Sequence, residues 1–178
     1  MNRQGLRIVL AVAAAGAVAA TTVVAAQGDA GRGHQTEHVR TSLTGYSEVP
    51  LALSTPALGS FRATIDQRDQ EIRYKLTFSG VPSTTTQAHI HFGSVSQAGG
   101  ISAFLCTNLG NGPVGTQACP ASGTITGTIT PADIIGPAGQ GIAAGEFREL
   151  IDAIDARTAY VNVHSTDFPG GEIRGQLR

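Results

Sequence analysis

Two histidines one residue apart, His89 and His91, stand in the run Ala88-His89-Ile90-His91-Phe92-Gly93, and a third, His164, ends the run Ala159-Tyr160-Val161-Asn162-Val163-His164. On a β-strand successive side chains point to opposite faces, so His89 and His91 project from one face and Ala88, Ile90 and Phe92 from the other. Alternate positions on a strand lie about 6 to 7 Å apart at Cα, close enough for both rings to reach one ion. Imidazole suits zinc, copper, iron and nickel. Three imidazoles from two neighbouring strands would make a three-coordinate centre with room for water or a ligand. His89, His91 and His164 are therefore the candidate metal ligands, with copper or zinc as the candidate ions. The alternative is a polar sheet face on which the rings hydrogen-bond to surroundings such as Asn162, Glu172 and Arg174.

Other chemistry has little to stand on. There is no Gly-x-Ser-x-Gly nucleophile motif, and no Gly-rich phosphate loop between a strand and a helix. Glu48 and Glu172 read as turn or surface residues, and Tyr46 and Tyr160 as core or rim aromatics. No catalytic residue and no organic cofactor is assigned.

The elements that must position the histidines read mostly as strands. Ser42 to Gly45 suggests a short first strand, with order beginning at Thr41. Gly59–Asp66 and Glu71–Phe78 both alternate with period two around a short polar loop, which predicts a hairpin with Phe61, Ala63, Ile65, Ile72, Tyr74, Leu76 and Phe78 inward. Gly99–Cys106, Gly123–Ile129, Ala159–His164 and Glu172–Leu177 are further strands. In the last of these, Ile173 and Leu177 face the core, and Glu172, Arg174 and Gln176 face outward. One helix is expected near residues 146–156, where Phe147, Leu150, Ile151 and Ile154 fall on one stripe. Short strands, Gly/Pro turns and a single helix point to an all-β fold, an antiparallel β-sandwich or Greek-key barrel.

The N-terminus carries Arg3 and Arg7, an apolar Ala-rich run from Ile8 to Ala20, and small residues through Ala26. These are the three regions of a secretory signal peptide. Thr21 and Thr22 disfavour the alternative, a membrane anchor. The expected organisation is a signal peptide over residues 1–26, a Gly-rich flexible leader holding His34 and His38 over 27–41, and one domain over 42–178, secreted or otherwise extracytoplasmic. Cleavage after Ala26 removes two of the 12 basic residues and moves the formal charge from −1 to −3. So mild a balance gives no reason to expect nucleic acid or an anionic membrane as partner, and no membrane span remains after cleavage. In an oxidising compartment the two cysteines, Cys106 and Cys119, are expected to pair across the Gly- and Pro-rich loop between them, the alternative being two buried thiols.

The runs LTGYSEVP, YKLTFSGV, AHIHFG, AYVNVHS and PGGEIRGQLR, in this order, resemble the CHRD domain, the module named after the chordin proteins and found singly in bacterial exported proteins. The resemblance covers about Ser42 to Arg178. It implies an extracellular β-rich domain, in chordin part of a protein that binds secreted growth factors, and it implies no fixed activity for bacterial members. AHIHFG followed by His164 is also similar to the copper half of copper/zinc superoxide dismutases, although no bridging histidine or zinc loop follows between Phe92 and Ala159. The leading expectation is a non-enzymatic extracytoplasmic binding module whose ligand is a metal or an envelope partner. A metal-dependent redox or hydrolytic enzyme, and a structural or adhesive module, are the alternatives.

Overall fold

The computed structural model describes residues 36–178. The expected signal peptide and the leader as far as Gln35 lie outside the described residues. The remaining chain forms eight strands, all paired antiparallel, and one helix of nine residues: β1 (Thr36–Thr44), β2 (Leu58–Asp66), β3 (Glu71–Ser79), β4 (Thr85–Phe92), β5 (Gly100–Thr107), β6 (Gly123–Ile129), α1 (Phe147–Asp155), β7 (Ala159–Ser165) and β8 (Ile173–Gln176). The first strand begins at Thr36 rather than Thr41. Residues 36–41, expected in the leader, pair in register with Phe61 to Asp66, and Val39 is buried. A lone apolar residue among polar neighbours gave too weak an alternation to show this strand in the sequence.

The strands form one sheet in the order β5-β4-β7-β8-β1-β2-β3-β6, curled into a nearly closed barrel. Period-two alternation supplies its core: Phe61, Ile65, Leu76, Phe78, Ile90 and Val161 all point inward and are almost completely buried. The expected hairpin is present, with Phe61↔Leu76 and Ile65↔Ile72 as partners. Between the end strands β5 and β6, side chains bridge the sheet. The Tyr74 hydroxyl donates to the Leu105 carbonyl (2.9 Å) and accepts from Gln117 Nε2 (2.9 Å), which also donates to the Thr126 carbonyl (3.0 Å). Tyr74 can cross β6 because its partner there is Gly127. A Cβ at that position would come within 2.6 Å of the phenol oxygen.

Helix α1 lies against β7 and buries Phe147, Leu150, Ile151 and Ile154, the expected stripe. Its exposed face carries the Arg148–Asp152 ion pair (2.8 Å). No helix among the described residues is long and apolar enough to cross a membrane.

Cys106 and Cys119 form a disulfide, as expected. It joins the end of β5 to the loop that leads to β6, and Asn108 ties the same loop by donating to the Thr85 and Cys119 carbonyls (2.9 and 3.0 Å). For a closed loop of this size the chain-entropy model gives about 3 kcal/mol. Replacing both cysteines with alanine is therefore expected to lower the unfolding free energy by about that amount in urea denaturation. A loss under about 1 kcal/mol would mean that the hydrogen bonds hold the loop without the covalent link.

Candidate metal centre

Strand β4 sends Ala88 and Ile90 into the barrel, so His89 and His91 emerge on its outer face. Register carries this face across three strands: His89 pairs with Asn162, His91 with Tyr160 and Gln87 with His164 on β7, while Tyr160 pairs with Gln176 and Asn162 with Arg174 on β8. The outer face of an antiparallel sheet is ordinarily wet. Here it is roofed. His89 is 0% exposed and Arg174 2%, and Tyr160, His91 and His164 are buried beside them.

Loops make the roof, and backbone carbonyls hold the side chains under it. His91 Nδ1 lies 2.9 Å from the Gly99 carbonyl and His164 Nδ1 2.9 Å from the Pro169 carbonyl. A carbonyl only accepts, so both Nδ1 atoms carry the hydrogen and both Nε2 atoms are left as acceptors. Arg174 donates to the Ser94 carbonyl (2.7 Å), and Gln176 to the Gly93 carbonyl (3.0 Å). From β5, Phe104 sets its ring perpendicular to His89 with centroids 4.4 Å apart. Register shifts in the β4–β5 ladder on either side of this pair place Phe104 opposite His89.

The three imidazoles come together as the sequence suggested. His89 Nδ1 donates to His164 Nε2 (3.1 Å), and one ligand atom from each ring can be chosen so that all lie within 4.8 Å of one another. Nε2 of His89 and of His91 have no hydrogen-bond partner in the protein. Burial, reinforced by the neighbouring imidazoles, pushes His89 down to about 2. Burial likewise holds His91 down at about 4 and lowers His164, against the raising effect of the Gly99 and Pro169 carbonyls. At neutral pH the cluster is three neutral imidazoles, the form that binds metals. His38 is elsewhere, exposed on β1 with its Nδ1 3.1 Å from Thr64 Oγ1, and His34 lies outside the described residues.

Several residues read as surface belong to this buried layer. Glu172, expected to face outward, is 0% exposed and accepts from the Thr55 hydroxyl (2.7 Å). Arg174, expected on the same outward face, lies with its guanidinium carbon 3.5 Å from the Tyr160 ring centroid, and Tyr160 in turn stacks on His91 at 4.8 Å. Glu48, expected in a turn or on the surface, is buried under the roof, and burial raises it to about 7 against the pull of Arg174 and Asn162. Gly171 packs so closely that a Cβ there would meet Glu48 Oε1 at 2.7 Å. Tyr46 is 74% exposed and takes no part. The signal for this layer was present in the sequence, because Glu172, Arg174 and Gln176 alternate with core residues and so share the histidine face. What the alternation could not show was the cover.

Stability of the metal-free protein should therefore depend on pH. An unfolded histidine titrates near 6.5, above the folded values of His91 and His89, so as pH falls the unfolded chain takes up protons first. The stability these rings contribute is complete above about pH 6.5. It is lost as pH falls toward the folded values, at up to about 1.4 kcal/mol per pH unit for each ring. Glu48 acts oppositely: its folded value is raised from 4.5 to about 7, so it takes up its proton first in the fold and stabilises as pH falls through that window. Urea midpoints of chelator-treated protein are expected to drop below about pH 6.5, and more steeply in Glu48→Gln, which lacks the opposing contribution. Flat profiles in both proteins would contradict buried neutral rings.

No curated protein and no solved structure matches the chain. The model of the CHRD domain matches residues 39–177, from the middle of β1 to the residue after β8, and so takes in all three histidines and both cysteines. The chain belongs to the CHRD domain family.

Proposed function

We propose that His89, His91 and His164 hold a copper or zinc ion, and that the domain acts outside the cytoplasm as a metal-binding module. The observation that carries this reading is a cluster of three buried, neutral imidazoles in which Nε2 of His89 and of His91 have no hydrogen-bond partner. Two of the three rings are oriented by carbonyls on Nδ1, the outer hydrogen bond that metal-binding histidines usually make. Ligands about 2.05 Å from one ion in tetrahedral array stand roughly 3.3 Å apart. The ligand atoms lie up to 4.8 Å apart, so the rings must close by as much as about 1.5 Å to reach tetrahedral spacing on binding. The bound ion would supply a Lewis acid or a redox centre. The apolar N-terminal run and the disulfide support export.

A catalytic role for the same centre is favoured by one feature, the buried carboxylate of Glu48 and guanidinium of Arg174 in the histidine layer. A metal-bound water that exchanges with solvent would separate this from a sealed binding site.

Protein purified without a histidine tag is expected to take up one copper or zinc ion per chain. The variants His89→Ala, His91→Ala and His164→Ala are each expected to retain less than about a tenth of it under the same conditions. Failure of the folded wild type to bind either metal after reconstitution would overturn the proposal.

A further inference from the structure

On the outer face of the sheet, away from the histidines, four cations stand in one row. Arg40 on β1 is the direct cross-strand partner of Arg62 on β2, and Arg62 is that of Lys75 on β3. The backbone N–H of Arg40 donates to the carbonyl of Arg178 (3.0 Å), which adds a fourth cation at the end of the row. Strands lie about 4.8 Å apart, so the row extends roughly 14 Å across the sheet. Like charges directly opposite one another destabilise a sheet, yet no ion pair among the described residues neutralises any of these four. The acids of β2 and β3 are at the hairpin turn and engaged there: Asp66 accepts from the N–H groups of Arg68 and Asp69, and Glu71 pairs with Arg73.

A groove of about 920 Å³ follows the row, lined by Arg40, Arg62, Lys75 and Arg178 with the hydroxyls of Ser42 and Ser60. A second of about 560 Å³ continues from Arg40, Arg62 and Lys75 toward Arg73 and His38. We propose that this row binds a linear polysaccharide that carries carboxylates. Guanidinium forks take carboxylates through paired hydrogen bonds, and the flanking serine hydroxyls can serve sugar hydroxyls. A row of cations on an open sheet suits an extended chain. Stacking of single-stranded nucleic acid needs exposed aromatic rings, whereas Phe61 and Tyr74, the aromatic residues of these strands beside the row, are buried. The whole chain has a formal charge of only −1, so the attraction belongs to this row and not to a general positive field.

The test is binding of the full protein to polygalacturonate, with neutral dextran and a thymidine oligonucleotide as comparison ligands and thermal melting to confirm folding. Polygalacturonate is expected to bind, with affinity falling linearly in log salt, while dextran does not. The double variant Arg40→Gln/Arg62→Gln should bind at least about tenfold more weakly. Arg148→Gln, with a charge removed on α1 instead, should match wild type. The proposal is overturned by absence of binding, by equal binding of the double variant, by an equal loss in Arg148→Gln, or by tighter binding of the oligonucleotide than of polygalacturonate. His89→Ala should bind the polysaccharide as wild type does, which keeps this surface distinct from the metal centre.

Discussion

Two hydrogen bonds, from His91 Nδ1 to the Gly99 carbonyl and from His164 Nδ1 to the Pro169 carbonyl, set the direction of everything on the buried polar face. They fix both tautomers, and they turn both Nε2 lone pairs toward the space that the rings share. They also recruit the loops: the chain from Gly93 to Gly99 covers His91, and the turn at Pro169 covers His164. A polar face that would otherwise be exposed becomes buried, and burial keeps the imidazoles neutral. The histidines and their roof thus depend on each other, because desolvated rings need the carbonyls and the loops need something polar to bind.

The barrel explains how so polar a layer can be buried outside the core. Val161, Val163, Ala88, Ile90 and Ile173 form the inner side of the same strands and carry the hydrophobic stabilisation. The alternation that commits these residues inward commits Tyr160, Asn162, His164, His89, His91 and Arg174 outward, with no further freedom of register. Toward β1, β2 and β3 the outer face presents cations that have no ion-pair partner among the described residues. One sheet therefore carries a buried cluster of neutral imidazoles and a row of cations, backed by a common core.

Much of this was legible in the sequence. Period-two runs revealed the hairpin of β2 and β3, the histidine strands and the closing strand, and the 3.6-residue stripe revealed α1. The histidine trio was legible because H-x-H and N-x-H each alternate with core residues. Two things were not. The start of β1 offers Val39 as a single apolar residue, and its strand exists because β2 supplies a long partner. The burial of Glu48, Glu172 and Arg174 depends on loops folding over the sheet, and sequence alternation reports only the side of the sheet that a residue occupies. Arg174 against Tyr160 and Tyr160 against His91 are contacts made in space, between strands that only the fold makes neighbours.

The most direct test of the central claim is a long-range proton–nitrogen NMR spectrum of the histidine rings during a zinc titration. The expected result is that His91 and His164 start as neutral Nδ1–H tautomers and that their Nε2 resonances move together with one His89 nitrogen, saturating at one equivalent. Nδ1 and Nε2 protonation reversed in the metal-free protein, or rings unmoved by zinc, would contradict it.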